Sequence, residues 1–156
     1  MSTQMKPNSL PSITITVGLP ASGKTTWATE KMKFDAAISL DDCRQELWGD
    51  CTCQDGPGGI LALLDLQEQK IRSAMAEQKS IVVHNTHHLR AFIMPVIDLA
   101  RDIGYHVRVV YFNVDPEECR RRNRARPNPV PETVMGEFIR SLEVPTEDEV
   151  DELIVI

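Results

Sequence analysis

No apolar run in the 156-residue chain approaches the roughly 20 residues that a helix needs to cross a bilayer. The opening stretch MSTQMKPNSLPS is polar and holds two prolines. It lacks the apolar centre of a secretory signal and reads as a short disordered lead over residues 1–11. These absences point to a cytoplasmic protein with no membrane partner. Basic residues are in deficit as well, with a net charge of −6. A chain this acidic is not coated for nucleic-acid binding, so any polyanion it handles must meet a local basic site. The four cysteines, Cys43, Cys51, Cys53 and Cys119, form no C-x-x-C pair. The Cys51/Cys53 spacing is too tight for the usual zinc knuckle, and reduced thiols are expected. The sequence also has no internal repeat, no D-x-D-x-T phosphatase pattern and no sign of a second domain.

What is present is enough apolar residue, 42% of the chain, to build one core over residues 12–156. SITITVG (Ser12 to Gly18) is a β-branched run ending in glycine and reads as a buried strand. KTTWATEKMK follows as a helix and DAAISL (Asp35 to Leu40) as a second strand, with Asp42 expected to cap the next helix. The glycine-rich stretch Gly49 to Gly59 reads as a mobile loop. From Ile60 to Gln78 the pattern is helical, with Ile60, Leu64, Ile71 and Met75 on one face. SIVVHNT is a third strand. Apolar residues from Leu89 to Ile103 recur at helical spacing up to a terminal Gly104. HVRVVYFNV is a fourth strand, leading to a helix that Pro116 opens and the prolines at 127, 129 and 131 stop. ETVMGEFIRSL is a short helix, and the apolar ELIVI ends the chain. Strands alternating with helices predict an α/β protein with a central parallel sheet covered on both faces.

VGLPASGKTT, from Val17 to Thr26, matches G-x-x-x-x-G-K-[ST] with a strand before it and a helix after it. In such a P-loop, glycines let successive backbone N–H groups turn inward on phosphate oxygens. Gly18, Ala21, Ser22, Gly23, Lys24, Thr25 and Thr26 are thus the expected ATP-binding loop. Lys24 would reach the β- and γ-phosphates, and the Thr25 hydroxyl would ligate Mg²⁺. Asp41 and Asp42 follow the second strand, with Arg44 one helical turn beyond Asp41. In an open parallel sheet, ligands lie beyond the carboxyl ends of the strands. There Asp41 can accept a proton from an attacking hydroxyl, and Arg44 can hold an anionic part of the acceptor. RRRNRAR (Arg120 to Arg126) is the one dense basic segment, placed where arginines could swing onto a triphosphate.

With these motifs the chain resembles the kinase domain of the bacteriophage-type 5′-hydroxyl polynucleotide kinases, within the wider group of small P-loop phosphotransferases. The likeness runs from about Ile13 to the C-terminus and rests on GLPASGKTTWA, LDDCR, RRNRAR with the following VP, and SLEVPTEDEVDELIVI. It implies an adenylate-kinase-like strand order with the P-loop strand central, and a short arginine-rich lid. It implies Asp41 as general base and Arg44 as the grip on the acceptor's phosphate. Arg126, with Arg122 more loosely, matches the lid arginines on the ATP side, so that Asp41, Lys24 and Arg126 form the catalytic set. ATP and Mg²⁺ are the implied cofactors and nucleic acid, met at one end or one nucleotide, the implied substrate.

The third strand departs from the pattern. Relatives often carry an acidic residue before the threonine, whereas here His84 and Asn85 precede Thr86. Acidic support for Mg²⁺ is therefore missing or comes from Asp41 or Asp42. His84, His87 and His88 lack a fourth ligand nearby for zinc, so Asn85, Thr86 and His87 are read as a polar strand end lining the acceptor pocket. The expected reaction is phosphoryl transfer to a 5′-OH end. The alternatives are a hydroxymethyl-pyrimidine in DNA, with the Gly49 to Gly59 loop admitting an extruded base, or a small molecule. A non-enzymatic nucleotide-dependent binding module is the alternative of a different class, and the carboxylate at Asp41 argues against it.

Overall fold

The computed structural model describes residues 11–85 and 89–156. The expected N-terminal lead, apart from Pro11, and Thr86, His87 and His88 therefore lie outside the described residues. Five parallel strands are ordered β2-β3-β1-β4-β5, with β1 (Ser12–Gly18) in the middle. β2 is Ala36–Ile38, β3 Ile81–Val83, β4 His106–Phe112 and β5 Glu152–Val155. The apolar tail is thus the fifth strand, and the central place of the P-loop strand matches the expected order. All of β1 and β3 is buried, as continuous β-branched runs in a sheet covered on both faces must be.

Among the described residues six α-helices flank the sheet. α1 (Lys24–Thr26) passes directly into a π-helical turn (Trp27–Lys31), so the expected KTTWATEKMK helix is broken in pitch. α2 is Leu40–Trp48, α3 Gly59–Ala76, α4 Arg90–Ile103, α5 Pro116–Arg124 and α6 Glu132–Ser141. Ile13, Ile15 and Val17 of β1 pack with Ile71 and Met75 of α3 and Ile93, Val96 and Ile97 of α4 in the main core. Leu19, Cys119 and Met135 form a second cluster under α5 and α6.

Two local expectations are corrected. The cap of α2 is Ser39, whose Oγ accepts from the Asp42 N–H at 3.1 Å, so Asp42 stands inside the first turn. The buried face of α3 is Leu63, Gln67, Ile71, Ala74 and Met75, while Ile60 is 48% exposed and Leu64 half-buried. Polar Gln67 belongs to that face because its Oε1 accepts from Asn85 Nδ2 at 2.6 Å, which satisfies it without water. The loop between α2 and α3 is held by Trp48: its indole N–H donates to the Pro57 carbonyl at 3.0 Å. Its ring also lies where a Cβ on Gly56 would come within 2.1 Å, so only glycine fits beneath it.

Candidate active site

The loop leaving β1 is shaped by two glycines. A Cβ on Gly18 would meet Ser22 Oγ at 2.8 Å and Phe112 Cβ at 3.0 Å, so a side chain there would push the loop off β4. Gly23 has φ +101°, a left-handed conformation from which α1 starts. Lys24 does not extend into solvent. Its Nζ donates to the carbonyls of Gly18 (3.0 Å) and Leu19 (2.7 Å) and to Ser22 Oγ (3.4 Å), and the residue is 7% exposed. Burial, and then the positive charge of Arg126, bring its pKa down to about 7. The lysine therefore also braces the loop. Ala21 and Ser22 are buried, and Thr25 and Thr26 are exposed beside it.

A cleft of about 440 Å³ opens over this loop, lined by Ala21, Gly23, Thr26, Trp27, Arg122 and Arg126, among others. Trp27 is fixed edge-on to Phe112 with ring centroids 5.6 Å apart, and tilted against Phe34 at 5.8 Å. The structure thus brings both lid arginines to the P-loop. α5 sorts its arginines by their partners. Arg120 pairs with Glu117 and Glu132, and Glu118 holds Arg121 at 2.6 Å and Arg122 at 2.9 Å. Those two guanidiniums keep the Glu118 carboxyl down at about 2. Arg126 makes no ion pair among the described residues, so its charge is open to an anion in the cleft. The loop that carries it is tied back by Asn123, 3% exposed, which donates to the Val130 carbonyl (2.8 Å) and accepts from the Val130 N–H (3.0 Å). Asn123 is one residue that sequence reasoning missed. The one asparagine among the arginines was the available signal.

On the other side of the loop, Asp41 and Arg44 meet at 2.8 Å on one face of α2, with side chains 75% and 17% exposed. The Nε of Arg44 is buried with no partner among the described residues. Asn85 accepts from Leu40 N–H (2.6 Å) while donating to Gln67, so its amide fixes α2 and α3 against β3. That commitment makes it a strut between the two helices. His84, next to it, is 9% exposed, and neither ring nitrogen has a hydrogen-bond partner among the described residues. Burial lowers its pKa, against the pull of Asp42 and Asp41 and with the push of Lys24. For a divalent cation the chain offers the exposed Thr25 hydroxyl and Asp42 carboxylate. No group of three or more His, Cys, Asp or Glu stands together among the described residues. A cation here would take most of its ligands from phosphate oxygens and water, which suits Mg²⁺.

The sheet order and the loop at the head of β1 define a P-loop kinase fold. The chain belongs to the AAA domain family, whose model matches residues 13–145. No curated protein sequence matches it. Among solved structures it is similar to a chain of the Pnkp1/Rnl/Hen1 RNA repair complex, at 19% identity and TM-score 0.67. That match covers 89% of this chain and 47% of that one, so this chain spans less than half of the other's length. It is also similar to Chaetomium thermophilum Kti12 in complex with ADP-AlF3, at 13% identity and TM-score 0.65, covering 92% and 88%. A sugar kinase from Janibacter sp. HTCC2649 matches at 21% identity and TM-score 0.63, covering 93% and 84%. Among the described residues no helix is long and apolar enough to cross a membrane.

Proposed function

We propose that residues 12–156 act as one kinase domain that transfers the γ-phosphoryl group of ATP to a hydroxyl of nucleic acid, with the 5′-OH end of a polynucleotide as acceptor. The observation that carries this reading is the Asp41–Arg44 pair at the start of α2, just past the carboxyl end of β2. A carboxylate beside a guanidinium fits an acceptor that presents a hydroxyl together with a phosphate, which is what a 5′-OH strand end presents. The similarity to a chain of an RNA repair complex supports nucleic acid as the acceptor.

In this scheme Lys24 and the loop N–H groups hold the triphosphate, and Thr25, with Asp42 as a second candidate ligand, would hold Mg²⁺, which would offset phosphate charge when bound. Arg44 shares its guanidinium between Asp41 and the acceptor's phosphate and so orients the strand end. The acceptor oxygen attacks the γ-phosphorus, its proton passes to Asp41, and the bond to the bridging oxygen breaks to release ADP. Arg126 meets the charge that spreads over the transferred group. The same cleft geometry serves a hydroxymethyl group on a DNA base or a small-molecule hydroxyl. The test is γ-labelled ATP with 5′-OH DNA, 5′-OH RNA, hydroxymethyluracil DNA and free nucleosides. Label on a 5′-OH strand supports the proposal. Label confined to the modified base or to a nucleoside replaces the acceptor, and no transfer to any of them refutes it.

A further inference from the structure

Two buried amides stand in series behind the start of α2. Gln67 lies on the buried face of α3, and Asn85 lies just past the end of β3. Gln67 Oε1 accepts from Asn85 Nδ2 at 2.6 Å, and Asn85 Oδ1 accepts from the Leu40 N–H at 2.6 Å. Leu40 opens α2, and the next residue is Asp41. The first N–H groups of an α-helix have no partner within the helix. Here Asn85 meets one of them from an element 45 residues away. Two further bonds hold the same corner: Ser39 Oγ accepts from the Asp42 N–H, and the His84 N–H donates to the Ile38 carbonyl at the end of β2. An amide has an accepting end and a donating end, whereas the Leu40 N–H can only donate. Asn85 therefore serves α2 only with its oxygen toward Leu40, and an acceptor at its NH₂ end holds it that way round. Gln67 supplies one.

We propose that Gln67 is a positioning residue for the acceptor side of the site: through Asn85 it sets the first turn of α2, and with it Asp41 and Arg44. The proposal rests on the acceptor reading of that pair. Gln67 and Asn85 are 5% and 7% exposed, so water competes little for the bond between them. The side chain of Asp41 is 75% exposed, and a carboxylate so open takes its place from the backbone beneath it. Displacing a reacting group by about 1 Å costs on the order of 10²-fold in rate. The phosphate loop is braced separately, by Lys24 on Gly18, Leu19 and Ser22. Gln67 thus acts on the half of the reaction that brings the acceptor and leaves the nucleotide's half alone.

The test compares Gln67→Leu, which removes the acceptor at similar volume, with Gln67→Glu, which keeps an oxygen for Asn85 Nδ2. With ATP and a 5′-OH oligonucleotide, Gln67→Leu should raise the acceptor KM and lower kcat, for a loss of roughly tenfold or more in kcat/KM. The Kd of β,γ-methylene-ATP should stay within about twofold, and Gln67→Glu should recover most of the loss. Because Gln67 works through Asn85, adding Gln67→Leu to Asn85→Ala should cost nothing further. Amide hydrogen exchange at Leu40 reads the relay without any acceptor, and Gln67→Leu should speed it roughly tenfold or more. Unchanged exchange at Leu40 overturns the relay whatever the acceptor is. Normal kinetics in Gln67→Leu, nucleotide affinity that falls in step with kcat/KM, no recovery in Gln67→Glu, or additive losses in the double variant each overturn the positioning role. A wild type that transfers nothing to the strand while Leu40 exchange responds as expected overturns the acceptor reading, and the catalytic role of Gln67 with it.

Discussion

At the scale of single residues, Lys24 does more than its motif foretells. The motif predicts a cation aimed at phosphate; the structure adds three acceptors on the loop and a pKa brought down to about 7. In the unfolded chain the same amine keeps its ordinary value of 10.5. The unfolded state thus binds more protons between those values, and this group's contribution to stability rises as the pH climbs from about 7 to 10.5. Binding reverses the shift, because a triphosphate stabilises the ammonium. Above pH 7 nucleotide binding should take up a proton at Lys24, and affinity should fall by up to about tenfold per pH unit. Calorimetry in buffers of different ionisation enthalpy measures that uptake, and binding with no proton uptake at pH 8 would contradict it. Lys24→Ala should also loosen the loop, a cost that a lysine pointing only at ligand would not carry. Arg126, with no carboxylate partner among the described residues, should act on transition-state charge: Arg126→Ala should lower kcat by roughly 10²-fold with little change in acceptor KM. A rise in acceptor KM alone would place it on the nucleic acid instead. Asp41→Asn should lower transfer by roughly 10²- to 10⁴-fold with nucleotide binding kept, and added Mg²⁺ should not rescue it.

Elements show what the sequence can and cannot make legible. The P-loop was legible because its chemistry is local: glycines, lysine and threonine act within a few residues of one another. The arginine run and the helix that Pro116 opens were legible for the same reason. The cap of α2 was not, since Ser39 and Asp42 are both good caps and local preference cannot rank them; the reach of Ser39 Oγ to the Asp42 N–H decides it. Gln67 was missed because the group that satisfies it, Asn85, lies in a different element. Asn123 hid among the arginines, although its two bonds to Val130 fold the lid loop back. Asn123→Ala should therefore leave the sheet intact and free the segment that carries Arg126. The expected result is a lower kcat and weaker nucleotide binding, with a nearly unchanged far-ultraviolet dichroism spectrum. Unaltered kinetics in this variant would mean that the lid is positioned by something other than Asn123.

Across the whole molecule, the acidic chain places two cationic groups without an ion pair among the described residues, Lys24 and Arg126, at one loop. Lys24 is buried under it, Arg126 stands over it, and Arg44 is held a helix away beside Asp41. The chain's net charge of −6 disfavours long duplex and leaves room for one strand end. A nucleotide-dependent binding module would need the loop but not the carboxylate–guanidinium pair, and a bare ATPase would pass the phosphoryl group to water. Single-turnover reaction of the protein with γ-labelled ATP and a 5′-OH oligonucleotide, followed by nuclease digestion to mononucleotides, separates these outcomes directly. The account predicts label recovered in the 5′-terminal nucleoside monophosphate, lost with Lys24→Ala and sharply reduced with Asp41→Asn. Label found only as free phosphate, or left entirely in ATP, would contradict it.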